Sequence, residues 1–346
     1  MQKKVNQLKM GTILSYLSIV IQSLCAIIYT PVMLRLLGQN EYGLYQLGSS
    51  AVSYLSLLSF GFNSSYVKFY FEYKVKGEEE EIRRLNSIFL LVFCCLAIVS
   101  CIVGGGMIAS TDLIFNTSLS AADVHQVRIL MFILVLSTAL TFPNIIFECY
   151  IIAHEKYIFQ RLMLIAVTVL LPILTLPLLY MGYKSTALVA VHLFISVLRT
   201  GINVYYCIVK LGMKFQFHGM QLKVLKNVGS FSIFIFLNEI ATQINWNVDK
   251  VILGAVQGAS VVAIYSVGSQ FNQYFINMST AVSNVFIPRV NKMVAEKQGN
   301  DVLTALFIKI GRVQYVVLSA ILGGYLLYGK FFIMKWAGEG YDAAYY

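Results

Sequence analysis

Residues 85–110 read LNSIFLLVFCCLAIVSCIVGGGMIAS, twenty-six positions without one charged side chain. A helix needs about 20 apolar residues to cross the hydrocarbon core of a bilayer. On either side lie eight more apolar stretches, at 11–37, 43–71, 124–153, 158–181, 185–211, 227–254, 259–290 and 302–329. The whole chain of 346 residues is 58% hydrophobic and 12% charged. A water-soluble domain of that composition has nowhere to put its apolar surface. The pattern predicts an all-α polytopic membrane protein with nine spans.

The connectors alternate between basic-rich and basic-poor, which sets orientation. With the N-terminus in the cytoplasm, that side receives 19 of the 26 Lys and Arg residues. They are Lys3, Lys4, Lys9, Lys68, Lys74, Lys76, Arg83, Arg84, Lys156, Arg161, Lys210, Lys214, Lys223, Lys226, Arg289, Lys292, Lys297, Lys309 and Arg312. The other side holds Arg35, Arg128, Lys184, Lys330 and Lys335, and Thr117 is expected there too. The net charge of +10 is then positive-inside bias plus attraction to anionic lipid, and it requires no nucleic acid. The acidic run Glu78–Glu81 reads as a solvated helix start among those bases. All six cysteines fall inside spans and read as small packing residues, with no zinc or disulfide spacing.

The chain repeats itself. Leu36-Leu37-Gly38 followed by Tyr45-Gln46-Leu47-Gly48-Ser49 recurs as Ile252-Leu253-Gly254 followed by Tyr265-Ser266-Val267-Gly268-Ser269. The offset is 216 at the first motif and 220 at the second, which implies a four-residue insertion. Gly77 and the acids after it match Gly299-Asn300-Asp301 at an offset of 222. An even number of spans precedes residue 211, so the two units are expected to be parallel six-span repeats. The expected organisation is an N-terminal lobe at 1–211, a cytoplasmic linker at 212–226 and a C-terminal lobe at 227–346. The second repeat is shorter than the first, so a truncated second lobe is the expectation.

Polar residues fall into helical stripes. In span seven Asn238, Thr242, Asn245 and Asp249 share one face, and Glu239, Gln243, Trp246 and Lys250 form the adjacent one. Span eight carries Ser266, Ser269, Gln270, Gln273, Asn277, Thr280 and Asn284; span two carries Gln46, Ser49, Ser50, Ser53, Ser56 and Asn63. Span one has a weaker line of Ser15, Ser18, Gln22 and Tyr29. Such groups face another helix or water. Hydrogen bonding between helices is one reading. The ionisable groups of span seven favour the other, since each costs at least about 2.5–3.5 kcal/mol at a helix centre. A water-filled cavity lined by spans one, two, seven and eight is the economical reading.

Outside span seven, Arg199 and His192 in span six and Glu148 in span four are ionisable. His192 reads as a packing residue, and Glu148 is expected to reach water at its helix end. Arg199, near mid-membrane, is a cavity candidate or half of an ion pair. Arg35 is a candidate at the outer end of span one, where it can also snorkel to the interface. Gly324-x4-Gly329-Lys330 imitates a phosphate loop, but Phe331 stands where Ser or Thr is needed. Nothing in the sequence calls for an enzyme, a metal or another cofactor.

Tyr29-Thr30-Pro31 leads to Leu36-Leu37-Gly38-Gln39-Asn40-Glu41-Tyr42-Gly43-Leu44-Tyr45, and Leu58-Ser59-Phe60-Gly61 follows. With Asn247-Val248-Asp249-Lys250-Val251-Ile252-Leu253-Gly254 and Ile264-Tyr265-Ser266, these motifs resemble the polysaccharide transporter branch of the multidrug/oligosaccharidyl-lipid/polysaccharide exporter superfamily. The resemblance covers nearly the whole chain. It implies a two-lobe bundle of 12 or 14 spans in the bacterial plasma membrane. It also implies alternating-access translocation of a polyprenyl-diphosphate-linked oligosaccharide, such as an O-antigen or capsule repeat, from the cytoplasmic to the outer leaflet. Its partners would be that glycan, membrane lipids and a coupling ion, proton or sodium. The cavity candidates are Lys250, Asp249, Arg199, Glu239, Asn238, Asn245, Gln270 and Arg35.

Competing readings are a lipid II flippase and a cation-coupled drug exporter of the same superfamily. Drug exporters often carry an acidic residue in span one, whereas residues 5–40 here hold no Asp or Glu. A membrane glycosyltransferase or polymerase would need catalytic groups on a substantial surface loop, and no such loop is present.

Overall fold

The computed structural model describes residues 7–59, 62–115, 118–219, 223–296 and 298–346. Lys3, Lys4 and Lys297 of the basic tally, Phe60-Gly61 and Thr117 lie outside them, as do the side chains of Lys9, Lys223, Lys226, Asn284 and Lys292. Among the described residues the chain is mostly helical, with a non-helical stretch at 211–217, and contains no strand. The helices are α1 (Gln7–Leu37), α2 (Gln39–Ser53), α3 (Phe62–Lys76), α4 (Glu79–Ala109), α5 (Thr111–Phe115) and α6 (Ala121–Ala153). They continue with α7 (Tyr157–Tyr180), α8 (Lys184–Tyr205, extended by a π turn to Lys210), α9 (Lys223–Gln257), α10 (Ala259–Ala295) and α11 (Asn300–Ala337).

Six of them are long and apolar enough to cross a membrane: α1, α4, α6, α7, α8 with its π turn, and α11. The remaining three expected spans do not meet that criterion among the described residues, span two because it is split into helices of 15 residues each. They are spans two, seven and eight, the same three that carry the densest polar stripes. Span two is also not continuous. After Ser53 the backbone tightens into a 3-10 segment, Tyr54–Ser59, before α3 begins. Ser53 Oγ donates to the carbonyl of Ser50 at 2.7 Å, a local bond that competes with helix propagation. A 3-10 stretch between two α-helices breaks the α-helical hydrogen-bond ladder.

Two glycine corners organise the chain. Gly38 (φ 74) turns α1 into α2, and Gly258 (φ 87) turns α9 into α10, 220 positions later. Side chains rarely adopt this conformation, so glycine fits both corners. Aligned by corners, the two regions need no insertion. The four-residue insertion expected from the sequence came from matching Gly38 to Gly254, which lies inside α9.

The chain divides into two compact units, Met1–Val262 and Ala263–Tyr346. In the first, α6 is the hub: it packs against α2, α3, α4 and α8, while α1 lies along α7. Half of the most apolar stretch of α6 is buried, against 11% in α7, whose long apolar surface is left for lipid. One core cluster gathers Leu44, Leu47, Val127, Leu130, Met131 and Val262. A second gathers Tyr66, Phe89, Phe93, Ile146, Cys149 and Cys207. Those two cysteines pack as expected, whereas Cys95 and Cys101 are exposed.

A close approach joins α2 to the second corner. A Cβ on Gly43 would stand 1.9 Å from the carbonyl oxygen of Ala259, so only hydrogen fits there. Polar bonds reinforce this end of the unit. Glu41 accepts from Ser185 Oγ at 2.5 Å and pairs with Lys184 at 3.2 Å, and Ser118 Oγ donates to the Gly254 carbonyl at 2.7 Å. At the opposite end, α4 starts with its acidic run in the first turn, where Glu79, Glu80 and Glu81 pair with Arg83 and Arg84.

In the second unit, α10 and α11 share an aromatic seam. Phe271 meets Trp336 edge-on at 5.3 Å between centroids, and Tyr325 stacks on Tyr345 at 5.4 Å. Gln314 of α11 donates to Ser283 of α10 at 2.7 Å.

Candidate functional site

The two stripes of span seven lie on α9 as their spacing predicts, and they differ in exposure. Asn238, Thr242, Asn245 and Asp249 are all exposed, while Glu239, Gln243, Trp246 and Lys250 are all half-buried. Leu237, Ile244 and Ile252 form an exposed apolar face of the same helix. One helix thus presents a polar face, a half-buried polar face and an apolar face.

The half-buried stripe is held by the 3-10 segment of span two. Gln243 Nε2 donates to Ser56 Oγ at 3.1 Å, and its Oε1 accepts from Ser53 Oγ at 3.2 Å. Asn247 Nδ2 donates to the same oxygen at 2.7 Å. Asp249 lies within electrostatic reach of Tyr54 at the start of that segment. Gln243 therefore fixes the rotation of α9 about its axis where it crosses the break in span two. Lys250 follows two turns later on the same stripe. Among the described residues no carboxylate pairs with Lys250.

The other candidates lie elsewhere. Arg199 of α8 forms a 2.6 Å ion pair with Glu148 of α6. Asn144 Nδ2 donates to the same carboxylate at 2.6 Å, and Asn203 Nδ2 donates to Asn144 at 2.9 Å. Glu148, expected to reach water at its helix end, is 29% exposed and is also the centre of this network between α6 and α8. Arg35 is exposed at the end of α1. Gln270 belongs to the second unit, where its Nε2 donates to the Tyr274 hydroxyl at 2.8 Å.

Several stripe hydroxyls turn out to be satisfied within their own helices. Ser15, Ser18, Thr242, Ser269 and Thr280 each donate to the carbonyl four residues back, at 2.6–3.0 Å. They require neither a neighbouring helix nor water. The amides do the bridging, and Gln243 and Asn247 are not among the cavity candidates read from the sequence. Their signal was the i, i+4 amide spacing opposite the serines of span two. Asn144 and Glu148, with Arg199 and Asn203, show the same spacing on two facing helices. Among the described residues no group of three or more His, Cys, Asp or Glu side chains can hold a metal ion.

Comparisons with known proteins agree with this architecture. Residues 8–294 match the family model described as polysaccharide biosynthesis protein. None of the curated proteins matches the chain in sequence. Among solved structures, an inward-facing multidrug resistance MATE family transporter of the MOP superfamily superposes with a TM-score of 0.70 at 14% identity, covering 94% of this chain and 78% of that one. A MATE protein in a bent conformation gives 0.54 at 13% identity, over 92% and 76% of the two chains. A MOP superfamily transporter from Pyrococcus furiosus, described as having a binding pocket of reverse polarity, gives 0.52 at 14% identity over 96% and 71%. At these identities the likeness is one of fold.

Proposed function

This chain belongs to the polysaccharide biosynthesis protein family, and from that premise we propose that it is a flippase for a polyprenyl-diphosphate-linked oligosaccharide, carrying it from the cytoplasmic to the outer leaflet by alternating access. The observation that carries the reading is Lys250, a half-buried cation on α9 with which no carboxylate pairs among the described residues. Leaving such a charge in hydrocarbon costs about 2.5–3.5 kcal/mol or more. A water-filled path, or an anion passing along it, removes that cost.

The chemistry of the substrate fits α9. A diphosphate or an acidic sugar needs positive field, which Lys250 supplies more strongly in a low-dielectric path than in water. Sugar hydroxyls need paired donors and acceptors, which Asn238 and Asn245 offer on the exposed stripe. Asp249 and Glu239 are the carboxylates through which a coupling proton or sodium ion would act. The polyprenyl tail stays in the bilayer throughout, against the apolar face of Leu237, Ile244 and Ile252. We keep the two-lobe organisation, with parallel repeats and a linker at 212–226, as part of this proposal. The N-terminus is placed in the cytoplasm of a bacterial inner membrane, so impermeant thiol reagents should label a cysteine at position 184, and not one at 76 or 156, in intact cells of a cysteine-free variant.

Surface glycan and the amount of protein in the membrane should be measured together for Lys250→Ala and Lys250→Arg. Alanine should lower export about tenfold or more, matching the about 1.5–3 kcal/mol of a hydrogen bond to a charged group. Arginine should retain more function than alanine, and abundance should stay near normal in both. Normal export by Lys250→Ala would exclude this cation from transport.

A further inference from the structure

Residues 211–217, which take in the start of the linker expected at 212–226, do not leave the first unit. The buried side chain of Asn86 accepts from the Tyr66 hydroxyl at 2.7 Å and donates through Nδ2 to the Lys214 carbonyl at 3.0 Å. The Gln216 amide donates to Ser87 Oγ at 2.7 Å and lies 3.3 Å from the Arg83 carbonyl. The Met213 amide donates to the Cys207 carbonyl at 2.9 Å. This strap is therefore held across the first turns of α4 by its backbone and by Met213, which is buried in the second core cluster, while the Lys214 side chain is exposed.

Beneath it lies a cavity of about 410 Å³, within the size range of small-molecule sites. Lys74, Arg83 and Lys214 contribute cations to its wall, and Tyr70, Tyr150 and His154 an aromatic face. Its carboxylate, Glu79, is engaged by Arg83 at 3.4 Å. Among the described residues neither Lys74 nor Lys214 pairs with a carboxylate. Lys74 instead rests over the rings of Tyr70 and Phe71, 5.6 and 5.8 Å from their centroids. The aromatic face is built as a unit, because His154 lies 4.2 Å from the Tyr150 ring and its Nε2 accepts from the Tyr70 hydroxyl at 3.2 Å.

Three cations from three separate segments thus converge on one cavity with a single, occupied counter-charge. We propose that this pocket binds a phosphate group carried by a small molecule or a lipid headgroup, with Lys74, Arg83 and Lys214 as its ligands. Phosphate offers several acceptor oxygens to cations arriving from different directions. Because Lys214 sits on the strap while Lys74 and Arg83 sit on α3 and α4, the bound phosphate clamps the strap to the bundle. The site is separate from Lys250 and does not depend on the flippase reading.

The test uses the full chain in nanodiscs of phosphatidylcholine at constant ionic strength, with hydrogen exchange at the Met213 and Gln216 amides as readout. In one arm inorganic pyrophosphate is titrated; in the other, part of the lipid is replaced by phosphatidic acid. Exchange should slow at least fivefold, and Lys74→Gln combined with Lys214→Gln should abolish the slowing. That double variant keeps the strap docked, since the strap is held by backbone groups. Slowing by pyrophosphate alone assigns the site to a soluble phosphate compound, slowing by phosphatidic acid alone to a lipid headgroup, and slowing by both to the phosphate group itself. No slowing in either arm, or equal slowing in the double variant, overturns the proposal.

Discussion

Two cations sit within expected spans of the first unit, and their surroundings are opposite. Arg199 meets a carboxylate at 2.6 Å, and that carboxylate is further held by Asn144, which Asn203 holds in turn. Lys250 has a half-buried position, an amide-locked helix and no carboxylate partner among the described residues. A charge that is neutralised and hydrogen-bonded ties α6 to α8. A charge left without a counter-ion is an electrostatic cost that a transported anion or water must relieve. In the sequence both are basic residues inside expected spans; their neighbours in the fold make one a scaffold element and the other a transport candidate.

The largest test of that contrast is Glu148→Gln. Arg199, 42% exposed, then loses its counter-charge, and folded protein should lose at most about 2.5–3.5 kcal/mol. Membrane abundance and thermal midpoint in detergent should both fall. Adding Arg199→Gln should restore most of the loss, because an amide pair carries no net charge. If the single variant stays as abundant as the parent, the pair is not a scaffold and the contrast collapses.

Lys250→Ala should behave in the reverse way, lowering export about tenfold while abundance holds. An abundance that fell in step with export would move Lys250 into the same class as Arg199.

Gln243→Leu sharpens the comparison from the side of α9. It removes the bonds to Ser53, Ser56 and Asn247. Hydrogen bonds between membrane helices average about 0.6 kcal/mol, so the stability loss should be about 1–2 kcal/mol. Export should fall further than that loss explains, because the stripe bearing Lys250 would be free to rotate. An export level that simply tracks protein amount would show that the rotation of α9 does not matter.

The smallest effect concerns His154, a titratable group just beyond the end of α6. Burial, with smaller contributions from Lys74 and Lys156, holds its imidazole below the ordinary value, against the pull of its bond to the Tyr150 carbonyl. The facing groups are Tyr70, Tyr150, Lys74, Lys156 and Glu79. A folded-state value below the unfolded one means that the unfolded chain takes up the proton first. Stability is full above about pH 6.5 and declines as pH falls from there through the folded value. His154→Gln should flatten that decline in a melting series from pH 7.5 to 5. An unchanged slope would show that the histidine contributes nothing to it.

Composition and period alone fixed that this chain is a bundle of membrane helices, where most of the helices lie, and which faces of α9 are polar. They do so because in a bilayer every backbone group is satisfied within its own helix, so span length and stripe follow from local spacing. Tertiary structure decided the rest. It broke span two at Tyr54–Ser59, where Ser53 bonds backward and Gln243 reaches across. It also paired Glu148 with Arg199, and laid residues 211–217 over α4. Each of these depends on which helix lies beside which. A hydroxyl or an amide carries no mark in the sequence of whether its partner is four residues away or one hundred and ninety.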